Sequence, residues 1–227
     1  MDGSILRRNE LRHLPKAILW DLDGTIIDST ECHFESWSEA LKRHGYTISR
    51  DLFNSNYGRN NFASLTSYLG FKPDLNLANE ITHAKEALFR EKVPRDASMV
   101  AGVKSWLATA NQMGIKQAIA SSAGMKNITI MLTAFGLLRY FDLLVSGANL
   151  PAKPEPDVFL EAAKLLELSP EECLVIEDSA AGVQAAKNAG MVCVAVLTSH
   201  VKSQLTAADL LVDDFRMPFL DAIGNLA

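Results

Sequence analysis

The sequence predicts an α/β fold, a Rossmann-like parallel sheet with helices on both faces, interrupted after its first strand by an all-helical insertion. Three observations carry this. From Ala101 onward, short apolar runs alternate with helical stretches, which implies right-handed crossovers between parallel strands. Between Thr30 and about Val93 the apolar residues recur instead at three- and four-residue spacing, with no strand pattern. The chain of 227 residues exceeds the usual single domain yet falls short of two full ones, which suits one core carrying an insertion.

In order along the chain, residues 1–13 read as a tail, and the apolar run Ala17 to Leu22, bounded by Gly24, as a buried strand. Phe34, Trp37 and Leu41, then Leu65, Tyr68 and Leu69, then Ile81, Ala84 and Leu88 mark the helices of the insertion. Helices follow at Gly102 to Met113, Lys126 to Phe135, Asp157 to Leu166 and Ala180 to Ala189. Strands are expected at Ile115 to Ser121, Leu143 to Ser146, Leu174 to Glu177, Val192 to Leu197 and Leu210 to Val212. The domain division is therefore a core of residues 14–30 and 96–222 with a cap of residues 31–95. In such a sheet a ligand sits at the carboxyl ends of the strands.

Composition narrows the function classes. With 48% hydrophobic and 22% charged residues the chain is an ordinary globular protein, long enough to bury roughly 70% of its unfolded surface. Its net charge of −5 argues against a nucleic-acid partner. An anionic small substrate stays open, because a metal and one lysine can reverse the local sign. No apolar run reaches the ~18 residues of a membrane helix, so no membrane partner is expected. Cys32, Cys173 and Cys193 form no CxxC pair, and Arg7, Arg8 and Arg12 precede no apolar leader; a cytoplasmic protein is expected. Oligomeric state has no signal.

Four features carry chemistry. Asp21 and Asp23, in WDLDGT, project to one side of an extended chain, so that one can attack as a nucleophile while the other moves a proton. Taken alone, Asp-Gly is a common turn pair. Glu177 and Asp178 end a later strand, and four carboxylates meeting at one sheet edge call for a hard cation, magnesium by the oxygen-only ligand set. Like charges ~4 Å apart otherwise cost about 4 kcal/mol per pair. Asp178 can alternatively cap the following helix. Lys153, stiffened between Ala152 and the prolines Pro154 and Pro156, would offset carboxylate repulsion and bind a phosphoryl oxygen. Ser121 can hold a phosphate oxygen at a helix start or serve as a plain helix cap.

In that order and combination, the motifs resemble the haloacid dehalogenase superfamily, in the phosphatase branch that includes β-phosphoglucomutase, from Lys16 onward. The resemblance implies Asp21 as the nucleophile that becomes an aspartyl phosphate, and Asp23 as general acid–base and, through its carbonyl, a magnesium ligand. It further implies Ser121 and Lys153 as phosphoryl-binding, Asp178 as a metal ligand, and Glu177 as a ligand or its neighbour. Gly24, Thr25 and Ser122, beside these motifs, are counted with the substrate-binding residues. The second acid, Asp23, favours phosphoryl transfer over dehalogenation. The insertion becomes a mobile cap that completes the site.

In the cap the signals divide. His33, twelve residues after Asp21, matches a mutase histidine that positions the acid–base, and Lys85 matches a mutase lysine that interacts with the same acid. The position of the mutase cap arginine, aligned on Gly58, holds Asn61, with Arg59 two residues earlier; the loop SAGMKN after the strand is about two residues longer than the mutase pattern. Water is then the simpler acceptor. The expectation is a magnesium-dependent phosphatase for a small phosphorylated metabolite, a sugar phosphate among the candidates. A sugar-phosphate mutase is the alternative, and a non-catalytic phosphate-ligand binding protein the distant one.

Overall fold

The computed structural model describes residues 14–226, so the expected tail lies outside the described residues. The chain runs β1 (Ala17–Trp20), β2 (Ile27–Asp28), α1 (Thr30–Lys42), α2 (Arg50–Asn54), α3 (Asn61–Leu69), α4 (Leu75–Asp96), β3 (Ser98–Met99) and α5 (Val103–Gln112). It continues through β4 (Lys116–Ser121), α6 (Met125–Ala134), β5 (Leu143–Ser146), α7 (Asp157–Leu165), β6 (Cys173–Glu177), α8 (Ala180–Asn188), β7 (Val192–Val196), β8 (Leu210–Val212) and α9 (Phe219–Ile223).

The main sheet has six strands in the order β5-β4-β1-β6-β7-β8, all its pairings parallel. It is a Rossmann-like core flanked by helices, with the helical cap inserted after the first strand. Strand β1 lies between β4 and β6, Trp20 in register with Ile119 on one side and Ile176 on the other. The carboxyl ends of these three neighbours, which carry Asp21, Ser121 and Glu177, therefore meet.

The period-two direction of strand side chains divides the core into two layers. Ile18, Trp20, Ile119, Leu174 and Ile176 face one layer, with α5, α6 and α9. Ala17, Leu19, Ala118, Ala120, Cys173 and Val175 face the other, with α7 and α8. Such two-sided burial explains why the strands read as continuous apolar runs. Gln117 is buried in the first layer with its amide satisfied: it accepts from Trp20 Nε1 at 3.0 Å and donates to the Leu107 carbonyl at 2.9 Å. The cap has its own small core, centred on Trp37, Leu41, Phe53, Leu65 and Ile81.

Where the structure departs from the sequence pattern, the causes are local. Strand β1 ends at Trp20, because Leu22 already accepts turn bonds from Ile26 and Ile27. The antiparallel pair β2–β3, which joins the two crossings between core and cap, has two residues per strand and offers no periodicity to read. Helices α2 and α9 are five residues each, too short for a helical repeat to show.

Trp106 is almost wholly buried, stacks edge-on with Phe215 and Phe219 at 4.9 and 5.3 Å, and donates its indole N–H to the Met217 carbonyl at 2.7 Å. Trp106→Ala should lower the unfolding free energy by about 3–5 kcal/mol in a urea titration. A loss under about 1 kcal/mol would show that the α5–α9 layer collapses around the gap.

Candidate active site

Asp21 leaves β1 with its N–H bonded to the Ile176 carbonyl at 2.9 Å, which fixes it beside the end of β6. Its Oδ1 accepts from Lys153 Nζ at 2.6 Å, and the same ammonium donates to Glu177 Oε1 at 2.6 Å. All three side chains are buried. The other Glu177 oxygen accepts from the N–H groups of Asp178 and Ser179, both at 2.7 Å. Gly182 is needed below it, since a Cβ there would overlap the Glu177 carboxylate. Asp178 Oδ1 accepts from Thr25 Oγ1 at 3.0 Å. Its Oδ2 is buried and, among the described residues, has no hydrogen-bond partner; Ser199 stands near enough to favour the carboxylate without a formed bond.

The electrostatics follow from this crowding. Burial first, and then the charge of Glu177, push the Asp21 carboxyl up to about 7 even though Lys153 pulls it down. Burial and the charges of Glu177 and Asp21 raise Asp178 well above the carboxylate range. Burial works against the Lys153 ammonium, but its two carboxylates more than offset it and hold the proton on. With all three buried carboxylates ionised, one ammonium would leave an excess of two negative charges, which a divalent cation would cancel. The residues fit such an ion: oxygens of Asp21, Glu177 and Asp178 lie within 4.8 Å of one another, and the unpaired Asp178 Oδ2 is a ready ligand.

Asp23 belongs to a different set of contacts. Its Oδ1 accepts from Ser29 Oγ at 2.5 Å and lies 3.0 Å from His33 Nε2. Burial works to raise its pKa, but His33, Ser29 and the charge of Lys85 bring it below the ordinary value. His33 is stacked on Phe89 with ring centroids 4.0 Å apart, and burial and Lys85 lower its pKa below the ordinary value. The ring is therefore neutral at neutral pH, and Nε2–H, assigned from this bond, donates to Asp23.

These groups open into a cavity of about 650 Å³ between the sheet edge and the cap. Ser121 lines it, buried, its hydroxyl accepting from the Ala123 N–H at 3.1 Å, and Ser122 stands beside it. Arg59 and Asn61 line the cap side, Arg59 donating to Asn56 Oδ1 at 3.3 Å and Asn61 to Glu86 Oε1 at 2.7 Å. Lys85 is buried between Trp37 and Phe89 and bonds Glu86 at 2.8 Å, so its charge, rather than a direct bond, reaches Asp23. Gly24 and Thr25 sit beneath Asp178 rather than on the cavity wall: Gly24 has φ +83°, and a Cβ there would overlap Asp178 Oδ2.

Several residues of this site gave no signal in the sequence. Glu86, Arg90 and Asn127 form a polar wall opposite the carboxylates, Tyr57 packs edge-on against His33, and Thr198 donates to the Gly24 carbonyl at 2.5 Å. The one available clue was Lys85-Glu86, two adjacent charges inside a helix whose neighbours Ile81 and Phe89 are core residues.

The comparisons with known proteins agree with this geometry. Residues 18–196 match the family model of haloacid dehalogenase-like hydrolases. The chain is 33% identical to β-phosphoglucomutase of Bacillus subtilis over 80% of its own length and 83% of that protein's. It is 31% identical to hexitol phosphatase A of Escherichia coli, over 87% and 90% of the two chains. The crystal structure of CbbY from Rhodobacter sphaeroides with xylulose-(1,5)bisphosphate superposes with a TM-score of 0.82 at 25% identity, covering 90% of this chain and 96% of that one. The chain belongs to the haloacid dehalogenase-like hydrolase family, near the β-phosphoglucomutase and CbbY branch, and is an enzyme of that phosphoryl-cleaving type. Among the described residues no helix is long and apolar enough to cross a membrane.

The cap wall also gives an acid-stability prediction. Burial raises the Glu86 pKa, but Lys85, Asn127 and Asn61 overcome this and hold it at about 2 against an ordinary 4.5. A folded value below the unfolded one adds stability that is complete above pH 4.5 and is lost as the pH falls towards 2. The stability difference between wild type and Glu86→Gln, of order 1–3 kcal/mol at neutral pH, should therefore shrink on acidification below the ordinary value. Urea unfolding at stepped pH measures it; a difference constant with pH would contradict the depressed pKa.

Proposed function

We propose that the chain is a magnesium-dependent phosphatase that hydrolyses a small phosphate monoester, with a sugar phosphate the favoured substrate, through an aspartyl phosphate on Asp21. The observation that carries this reading is the Lys153 ammonium held between Asp21 and Glu177 beside the unpaired Asp178 Oδ2, at the floor of a cavity.

In this reading the core is residues 14–30 and 96–222, the cap is residues 31–95, and substrate binds between them. The Asp21 carboxylate attacks phosphorus in line, and the bond to the leaving oxygen breaks. Lys153 and Ser121 hold phosphoryl oxygens, and Ser122, Arg59 and Asn61 face the rest of the substrate. Asp23, ionised in the empty site, takes up a proton as the anionic substrate binds beside it and gives that proton to the leaving oxygen. The carboxylate that results accepts a proton from the water that cleaves the aspartyl phosphate, so the two half-reactions return Asp23 to the protonated state it has with substrate bound. The neutral His33 ring and Ser29 orient Asp23 and stabilise its carboxylate form. A magnesium ion held by Asp21, Asp178 and Glu177, with the Asp23 carbonyl, would offset the charge that gathers on the phosphoryl oxygens. Gly24 and Thr25 act by holding Asp178 in place.

Hexitol phosphatase A among the relatives supports a phosphorylated polyol or sugar as the substrate class. A second reading, a sugar-phosphate mutase, is favoured by the His33–Asp23 contact and by the likeness to β-phosphoglucomutase.

Phosphate release from a panel of sugar and polyol monophosphates, with magnesium and with chelator, tests the reading. Release from several of them that chelator stops is expected. Isomerised product stimulated by added bisphosphate, with little free phosphate, would establish the mutase instead. Asp21→Asn should abolish turnover, a fall of at least about a thousandfold, while leaving the circular dichroism spectrum unchanged. Wild-type rates in that variant would remove Asp21 as the nucleophile.

A further inference from the structure

The cavity wall contributed by the cap carries one carboxylate, Glu86, and its surroundings are organised around it. Glu86 Oε1 accepts from Lys85 Nζ at 2.8 Å and from Asn61 Nδ2 at 2.7 Å. Glu86 Oε2 accepts from Asn127 Nδ2, across the cavity on core helix α6. The other end of that amide, Oδ1, accepts from Arg90 Nη1 at 3.1 Å. Glu86 and Arg90 are one helical turn apart on α4, so both grip the same buried asparagine from one face. The wall's donors are thus turned, directly or through Asn127, towards an anion that belongs to the chain. Arg59 and Lys126, which also line the cavity, are exposed, and Lys153 lies on its floor between Asp21 and Glu177.

A second phosphate on a substrate would need donors of this kind. Here it would have to displace Glu86 from them or approach a fixed negative charge in a partly desolvated wall, and both oppose binding. Hydroxyl groups meet no such opposition, since they can donate to Glu86 and accept from Asn61 or Arg90. We propose that Glu86 is a specificity-determining residue that fills the anion position of the cap wall with its own carboxylate, so that the site accepts phosphate monoesters of neutral polyhydroxylated compounds and discriminates against bisphosphates. This rests on the phosphatase reading above and narrows it.

Calorimetric binding separates the two, because it needs no turnover. The Asp21→Asn protein, with magnesium present, is titrated with a hexose 6-phosphate and with a hexose 1,6-bisphosphate, with and without Glu86→Gln. With Glu86 in place, the monophosphate should bind more tightly than the bisphosphate, by about threefold or more. With Glu86→Gln, the ratio of bisphosphate to monophosphate affinity should rise by about tenfold or more. A bisphosphate that binds as tightly as the monophosphate, or more tightly, with Glu86 present would overturn the proposal, and this arm stands even if the double variant does not fold. So would a folded Glu86→Gln protein with no gain for the bisphosphate. Failure of the monophosphate to bind either protein would instead contradict the phosphatase reading, and the narrower claim with it.

Discussion

Lys153 is a single ammonium between two buried carboxylates, with a third carboxylate beside them, and most of the site's geometry answers to that imbalance. Burying one ion pair already costs several kcal/mol of desolvation per ion, so an arrangement with excess negative charge persists only where each oxygen is directed. Glu177 is directed by two backbone N–H groups and by the small contour of Gly182, and Asp178 by Thr25 and the turn at Gly24. What remains unsatisfied is Asp178 Oδ2, beside an Asp21 whose pKa burial has raised to about 7. Both features point outward, to a cation and a phosphoryl group that the chain does not supply itself.

The sheet makes this arrangement possible. Placing β1 between β4 and β6 brings three strand ends together from positions ~100 and ~55 residues apart in sequence, and parallel pairing delivers all three by their carboxyl ends. The cap adds a second charge system of opposite design. Around Asp23 and Glu86 the donors outnumber the acceptors, so both acids are held below their ordinary pKa values while the core carboxylates Asp21 and Asp178 are pushed above theirs. A site whose acids are driven in opposite directions by their surroundings can assign them different roles in one reaction.

The core was legible in the sequence because its rules are local. Buried parallel strands read as apolar runs, and Asp21, Ser121 and Glu177 could be placed because strand ends are where those runs stop. The β2–β3 pair was not legible, since two residues cannot show a period. Cap contacts were harder for another reason: a helical pattern says which face is buried but not which polar side chain across a gap it meets. Asn61 and Arg59 were singled out by alignment to a resembling pattern, yet the partner of Asn61, Glu86, and the Asn127 and Arg90 that join it come from segments far apart in the chain. Lys85 was read as a partner of Asp23; it reaches that acid by charge because Glu86 is the nearer anion.

In the proposed reaction Asp21, and not its neighbour Asp23, carries the phosphoryl group during turnover. Trapping tests it most directly: the chain is mixed with a hydrolysed monoester and magnesium, quenched, reduced with borohydride and mapped by mass spectrometry. An aspartyl phosphate is reduced to homoserine, so homoserine in place of Asp21 and an unmodified Asp23 are expected. Modification at any other acid, or continued hydrolysis with no trapped intermediate across the burst and steady state, would contradict it.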